Sequence, residues 1–356
     1  MHWDIFCRVI DNFGDAGVCW RLAADLSQRG EEVRLFIDEP AVLTQLAGTT
    51  LEQAGLEIRD WPGKEHRFDP SDVADVVIEA FACDPPTLYV DAMARRAERM
   101  TLPVWINLEY LSAEEWVGTH HRLPSPHPRY PLTKYFYFPG FTPDSGGLLR
   151  EPGAVKLTED VTPPEDNPAR TLRILLFCYR QPALQYWVDA LDGVTLSVTP
   201  CPASTQIMEP GFHVPERLTI QHLSFVPQSA FDGVLREHDL LFVRGEDSFV
   251  RAQWAAKPVF WQIYPQDDGV HLEKLHAFYA RYLDPSLLNP QERQILMDFL
   301  LAWNRTGEPH DCRRLWPPII QMLPALRENA LRWRDKLLQQ PDLVTQLRAF
   351  VANLVK

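Results

Sequence analysis

The feature that most constrains this chain is a repeated alternation of short apolar runs and helical stretches, joined by brief connections. "DIFCRVI" reads as a buried strand. "VCWRLAADLSQRG" reads as a helix with Val18, Leu22, Ala23 and Leu26 on one face and Gly30 at its C-terminal end. "EEVRLFID" then alternates Val33, Leu35 and Ile37 as a second strand. Strand, helix, strand with connections this short is the βαβ unit of a parallel sheet. The unit recurs, with "DVVIEAFA" and "LPVWINLEYL" as strands on either side of the helix "TLYVDAMARRAERM". Residues 118–170 concentrate proline and glycine, and the segment 158–169, "TEDVTPPEDNPA", reads as an interdomain linker. The alternation then resumes: "TLRILLFCY", "VTLSVTP", "LLFVRG" and "KPVFWQIYP" are strands, and "ALQYWVDAL", "FDGVLREHD" and "DSFVRAQWAA" are helices among them. From about residue 290 the pattern is helical. Two α/β domains are expected, over 1–160 and 169–330, as a length of 356 residues allows.

Composition narrows what such a protein handles. The formal charge is −13, from 35 Lys+Arg against 48 Asp+Glu, and no basic run interrupts the acidic balance. Phosphate backbones and anionic lipid surfaces are repelled by that field, so neither nucleic acid nor membrane is an expected partner. No apolar stretch approaches the roughly 18 residues a spanning helix needs. "MHWDIFCRVI" has no basic n-region followed by an apolar core, so no signal peptide is read there and a cytoplasmic location is expected. The six cysteines show no CxxC or zinc-like spacing and lie mostly in apolar runs.

Chemistry concentrates at strand ends, where an open parallel sheet binds its ligands. "DNFGD", residues 11–15, follows the first strand and places Asp11 and Asp15 around Gly14. If a helix begins near Gly17, Asp15 sits close to its N-terminus, where a carboxylate is stabilised as the anion. It is then either a helix cap, with Asp11 a turn former, or a general base or cation clamp. Magnesium on the two aspartates would lack a third carboxylate or histidine. His120, His121 and His127 lie in the proline-rich stretch and read as turn or surface residues. "FVRGEDS" ends a strand at Val243, turns through Arg244-Gly245-Glu246-Asp247, and starts a helix near Ser248. A helix start with a nearby cation and hydroxyl is an anion site suited to a diphosphate. Glu246 or Asp247 caps the helix, accepts from sugar hydroxyls or contacts the reacting centre. "LSFVPQ", residues 223–228, offers Phe225 and backbone or amide groups to a nucleobase, and Tyr179 points out of another strand end.

Taken together, "VIDNFGDAGVCWRLA", "FVPQ", "FVRGEDSFVRAQWAAKPVFWQIYPQ" and "HLEKL" resemble the bacterial elongation factor P arginine rhamnosyltransferase family, over the first strand to about residue 275. The resemblance implies a GT-B fold: two Rossmann-like domains facing across a cleft, the C-terminal helix, about 336–356, returning to the N-terminal domain. It implies dTDP-β-L-rhamnose as donor, an arginine of folded elongation factor P as acceptor, inversion, and neither metal nor cofactor. By the same resemblance, Asp15 is the general base, and Asn12, Phe13 and Gly14 complete the loop over the donor sugar. Glu246 is a second essential carboxylate, and Asp11 helps to hold the guanidinium or the loop. Arg244, Gly245, Asp247 and Ser248 match the diphosphate and nucleotide loop. Tyr179, Val226, Pro227 and Gln228 match the thymidine pocket, and Tyr264 a phosphate-side tyrosine. Two other readings stay open to the residues themselves: a GT-B transferase with a different donor or small acceptor, and a non-catalytic nucleotide- or protein-binding module.

Overall fold

A computed structural model describes residues 1–11, 13–48, 53–99, 101–151, 171–265 and 269–355, without the side chains of Phe13 and Arg99. Asn12 and the expected linker 158–169 lie outside the described residues. The chain divides into two compact units, Met1–Glu151 with Gln340–Lys356, and Pro152–Gln339.

In the first unit, strands β1 (His2–Cys7), β2 (Glu32–Ile37), β3 (Leu56–Asp60), β4 (Val76–Ala80), β5 (Val104–Leu108), β6 (Pro124–Pro126) and β7 (Thr133–Tyr137) form one sheet in the order β3-β2-β1-β4-β5-β7-β6. All its pairs are parallel except β6 with β7. Its helices include α1 (Phe13–Gln28), α2 (Pro40–Ala47), α3 (Thr87–Arg99) and the short α4 (Val117–His120). Burial of β1, β4 and β5 on both faces explains their largely apolar sequences, each interrupted by one buried polar residue, Asp4, Glu79 or Asn107. The strands β6 and β7 come from the proline-rich stretch, and their modest burial left little apolar pattern to read. The edge strand β3 is equally faint in the sequence, since "LEIRD" carries only two apolar residues, at alternate positions, and the eight-residue α2 gives its periodicity little length to show. Helix α1 buries Ala16, Cys19, Leu22, Ala23 and Leu26. It stops where Gly30, at φ +88°, takes the left-handed conformation and the Glu31 N–H reaches the Leu26 carbonyl at 3.2 Å. Between sheet and helices, Phe6 stacks on Phe36 at 4.7 Å beside Tyr89.

The second unit holds strands β8 (Leu172–Leu176), β9 (Val194–Val198), β10 (Leu218–His222), β11 (Leu240–Arg244) and β12 (Val259–Gln262), all parallel, in the order β10-β9-β8-β11-β12. Helices α5 (Leu184–Val188), α6 (Pro202–Ile207), α7 (Gln228–Arg236) and α8 (Asp247–Ala255) connect them. Helices α9 (Val270–Tyr282), α10 (Pro290–Trp303), α11 (Asp311–Gln321) and α12 (Leu323–Leu338) follow, so the helical region begins at Val270, earlier than its periodicity suggested. The core is aromatic, with Phe242 between Trp187, Phe260 and Trp303 at 4.4–4.8 Å.

The last helix, α13 (Leu343–Leu354), belongs to the first unit. Leu343, Val344, Leu347 and Val351 are buried, and Asp342 caps the helix by accepting from the Thr345 N–H. Arg348 bonds Glu31 at 2.8 Å, and Arg29 pairs with Asp342 at 3.0 Å. The helix that the resemblance places at about 336–356 is therefore two elements, and only the part after Gln339 lies in the first unit.

Candidate active site

Each sheet has a point where the strand order reverses direction, and open α/β sheets bind their ligands there, beyond the C-terminal strand ends. In the first unit that point lies between β1 and β4, and in the second between β8 and β11. "DNFGD" follows β1, Tyr179 follows β8, and Arg244–Ser248 follows β11, so all three motifs stand at switch points.

Helix α1 begins at Phe13, so Asp15 is inside its first turn rather than at the cap position. Its side chain is 3% exposed, and Oδ2 accepts from the backbone N–H groups of Ile10 and Asp11, each at 2.9 Å. Burial pushes the carboxyl above its ordinary pKa, the two N–H donors hold it back, and the nearby charges of Asp11 and Asp38 add to the rise. Asp15 is thus both the anchor of its own loop and a carboxylate with enhanced basicity. Asp11 is half-buried, and its carbonyl accepts from Gly14 N–H. A Cβ on Gly14 would stand 2.7 Å from Asp11 Oδ2, so a side chain there would displace the Asp11 carboxylate from its present position. Asp38, at the end of β2, completes the loop by accepting from Val9 N–H at 3.0 Å. No resemblance or spacing singled it out, although its place after a readable strand was the available signal.

In the second unit, Arg244 ends β11, and its guanidinium lies 4.8 Å from the ring centre of Phe177 and 4.6 Å from that of Tyr179. Among the described residues this guanidinium has no hydrogen bond and no ion pair. A half-buried cation stacked on two rings and left without a carboxylate is ready to receive an anion. Gly245 turns the chain at φ +60°, its N–H reaches the Gln262 carbonyl at 3.2 Å, and its carbonyl accepts from Trp261 Nε1 at 2.7 Å. Helix α8 then opens toward the same strand end, its N-terminal dipole adding positive potential.

The acids and hydroxyl of this turn divide their tasks in ways spacing could not show. Glu246 occupies the cap position of α8, yet its side chain makes no capping bond. Asp247 accepts from Gln228 Nε2 at 2.7 Å and lies 3.4 Å from Arg251, which ties the 223–228 loop to the helix start. Ser248 donates its hydroxyl to the Arg244 carbonyl at 2.5 Å, so the hydroxyl expected to face an anion is already committed to the backbone. Pro227 caps α7 by position, Val226 is half-buried, and Phe225 is 49% exposed beside them. Tyr264, 44% exposed, meets Tyr179 edge-on at 5.7 Å. His120 is exposed and His121 is held near neutrality by burial, which pushes it down to about 4. Among the described residues no three metal-ligating side chains converge, and no helix is long and apolar enough to cross a membrane.

Residues 3–352 match the family model of the elongation factor P (EF-P) rhamnosyltransferase EarP. A protein-arginine rhamnosyltransferase of Pseudomonas putida is 40% identical, with 99% of this chain and 98% of that one covered. Its namesake in Pseudomonas aeruginosa is 39% identical over 99% of each chain. Among solved structures, one describing EarP-mediated arginine glycosylation of elongation factor EF-P covers 99% of both chains at 30% identity, with a TM-score of 0.63. A calicheamicin glycosyltransferase, at 13% identity, a TM-score of 0.52 and 99% coverage of both chains, shares the GT-B fold. With a family match from end to end and relatives of this identity, the chain belongs to the elongation factor P rhamnosyltransferase family EarP.

Proposed function

We propose that the protein transfers L-rhamnose from dTDP-β-L-rhamnose to one arginine of translation elongation factor P in the cytoplasm, with inversion and without a metal or other cofactor. The observation that carries this reading is the combination, in a chain of this family, of a buried, basic carboxylate at one switch point and a ring-stacked cation at another that has no ion pair among the described residues.

A guanidinium stays protonated, with a pKa above about 12, and its delocalised lone pairs make it a poor nucleophile. Carboxylates on its N–H fork orient it and take up a proton as its nitrogen attacks. Asp15 is the base: as the bond from the arginine nitrogen to the anomeric carbon forms, one N–H proton passes to its carboxylate. The bond between that carbon and the β-phosphate oxygen breaks, and its electron pair leaves with dTDP. Attack from the face opposite the phosphate converts the β-linked donor into an α-linked product without a covalent sugar–enzyme species. Asp11 holds the guanidinium or the loop, with Asn12, Phe13 and Gly14 over the sugar, and Glu246 is the second essential carboxylate. Arg244, Gly245, Asp247 and Ser248 form the diphosphate and nucleotide loop, Asp247 and the Ser248 hydroxyl holding its shape while Arg244 and the α8 dipole meet the charge of the leaving group. Tyr179, Val226, Pro227 and Gln228 receive the thymidine, and Tyr264 the phosphate side.

The test is to combine the protein with dTDP-β-L-rhamnose and unmodified elongation factor P, and to weigh the factor intact. One deoxyhexose on a single arginine is expected, at a rate that a chelator leaves unchanged. An unshifted mass sinks the reading, and a chelator-sensitive rate sinks its metal-free form.

A further inference from the structure

The C-terminal end of β12 carries a side chain with an unfilled hydrogen-bonding demand. Gln262 is 3% exposed, and its Oε1 is buried without a partner among the described residues. Its main chain, by contrast, is secured. The Gln262 carbonyl accepts from Gly245 N–H at 3.2 Å. Asn304 pins both neighbours, donating to the Trp261 carbonyl at 2.9 Å and accepting from Ile263 N–H at 3.0 Å. An amide oxygen left unpaired in an interior costs stability that a methionine of similar volume would not. Departures of this kind from local consistency gather at binding sites.

The surroundings indicate what fills the demand. Gln262 is in register with Arg244 on the adjacent strand, so the two side chains leave the sheet on the same face. The strand order sets β10, which leads into the 223–228 loop, at one edge and β12 at the other, with the helix start after β11 in between. A nucleotide lying with its base at Val226–Gln228 and its diphosphate at Arg244 directs its hexose toward β12. Phosphate oxygens only accept hydrogen bonds and would leave Oε1 as it is. A sugar hydroxyl both donates and accepts, and satisfies whichever end of the amide faces it.

We propose that Gln262 determines donor specificity by hydrogen-bonding a hydroxyl of the hexose. The assignment rests on the donor site proposed above at Arg244 and α8. Titration calorimetry of wild type and Gln262→Met with dTDP and with dTDP-β-L-rhamnose tests it. The variant is expected to bind dTDP within about twofold of wild type and dTDP-β-L-rhamnose about tenfold more weakly, with a melting temperature no lower than wild type. Gln262→Leu repeats the comparison with a second apolar shape. Unchanged affinity for both ligands in either folded variant overturns the assignment, as does an equal loss for both, which would locate the contact on the nucleotide. A wild type that binds neither ligand overturns the donor site itself and this assignment with it.

Discussion

Replacing Asp15 by asparagine separates catalysis from architecture at the centre of the first unit's loop. The amide oxygen can keep both contacts that Oδ2 makes, from Ile10 and Asp11 N–H at 2.9 Å, so the loop retains its shape. The substitution weakens two charge-assisted bonds, by about 1 kcal/mol each, and relieves the burial of a charge. The raised pKa of Asp15 shows which side prevails: burial, with the nearby charges of Asp11 and Asp38, outweighs the two donors, so the ionised form is a net cost to the fold. Asp15→Asn is therefore expected to melt no lower than wild type at neutral pH. The folded protein takes up this proton more readily than the unfolded chain does. The penalty is complete above the raised pKa and disappears as pH falls through it toward the ordinary value of 3.8, so the variant's advantage shrinks in acid. Turnover moves the other way, because removing a general base costs about 10²–10⁴-fold, or about 2.7–5.4 kcal/mol of barrier. Intact-mass kinetics supply kcat and the donor KM, the latter expected to stay within about threefold of wild type, since a loss confined to the reacting step leaves ground-state binding intact. In wild type, kcat is expected to fall as pH drops below the raised pKa. Turnover within about tenfold of wild type, against the 10²–10⁴-fold loss a base implies, would refute the assignment of Asp15 as base. A clearly lowered melting temperature would refute the argument from burial.

Two further substitutions probe the remaining groups. Arg244→Met keeps the stem over Phe177 and Tyr179 but removes the cation, and should raise the dTDP dissociation constant about 10- to 100-fold by calorimetry while leaving the melting temperature nearly unchanged. Gly14→Ala places a methyl 2.7 Å from Asp11 Oδ2. The half-exposed Asp11 swings aside and alanine suits the helix, so stability should shift by less than about 1 kcal/mol. Turnover should fall by about tenfold or more if Asp11 positions the acceptor, and retained turnover would remove Asp11 from the reaction.

Much of the framework was legible because periodicity is a local property. Runs buried on both faces, such as "DVVIEA" and "LLFVR", are largely apolar, and α1 carries its apolar stripe and its terminating Gly30 in plain order. What escaped was the periphery of the sheet: the edge strands β3 and β6 present few apolar residues, and β7 beside β6 is five residues long and mostly half-buried. The motifs named the family, and the end-to-end match agrees.

What the sequence determined by itself was therefore the alternation that dictates two parallel sheets, the placing of "DNFGD" and "RGEDS" after strands, and the kinship those motifs express. Tertiary structure alone decided how each polar atom is used. Burial set against two backbone N–H groups fixes the basicity of Asp15, and the turn at Gly245 spends the Ser248 hydroxyl on a backbone carbonyl. Two rings from separate positions support an Arg244 that has no carboxylate among the described residues, and the packing of β12 leaves the Gln262 oxygen without a donor among them. Hydrogen bonding and desolvation depend on which groups meet in space, and neighbours in space are set by the sheet order rather than by distance along the chain.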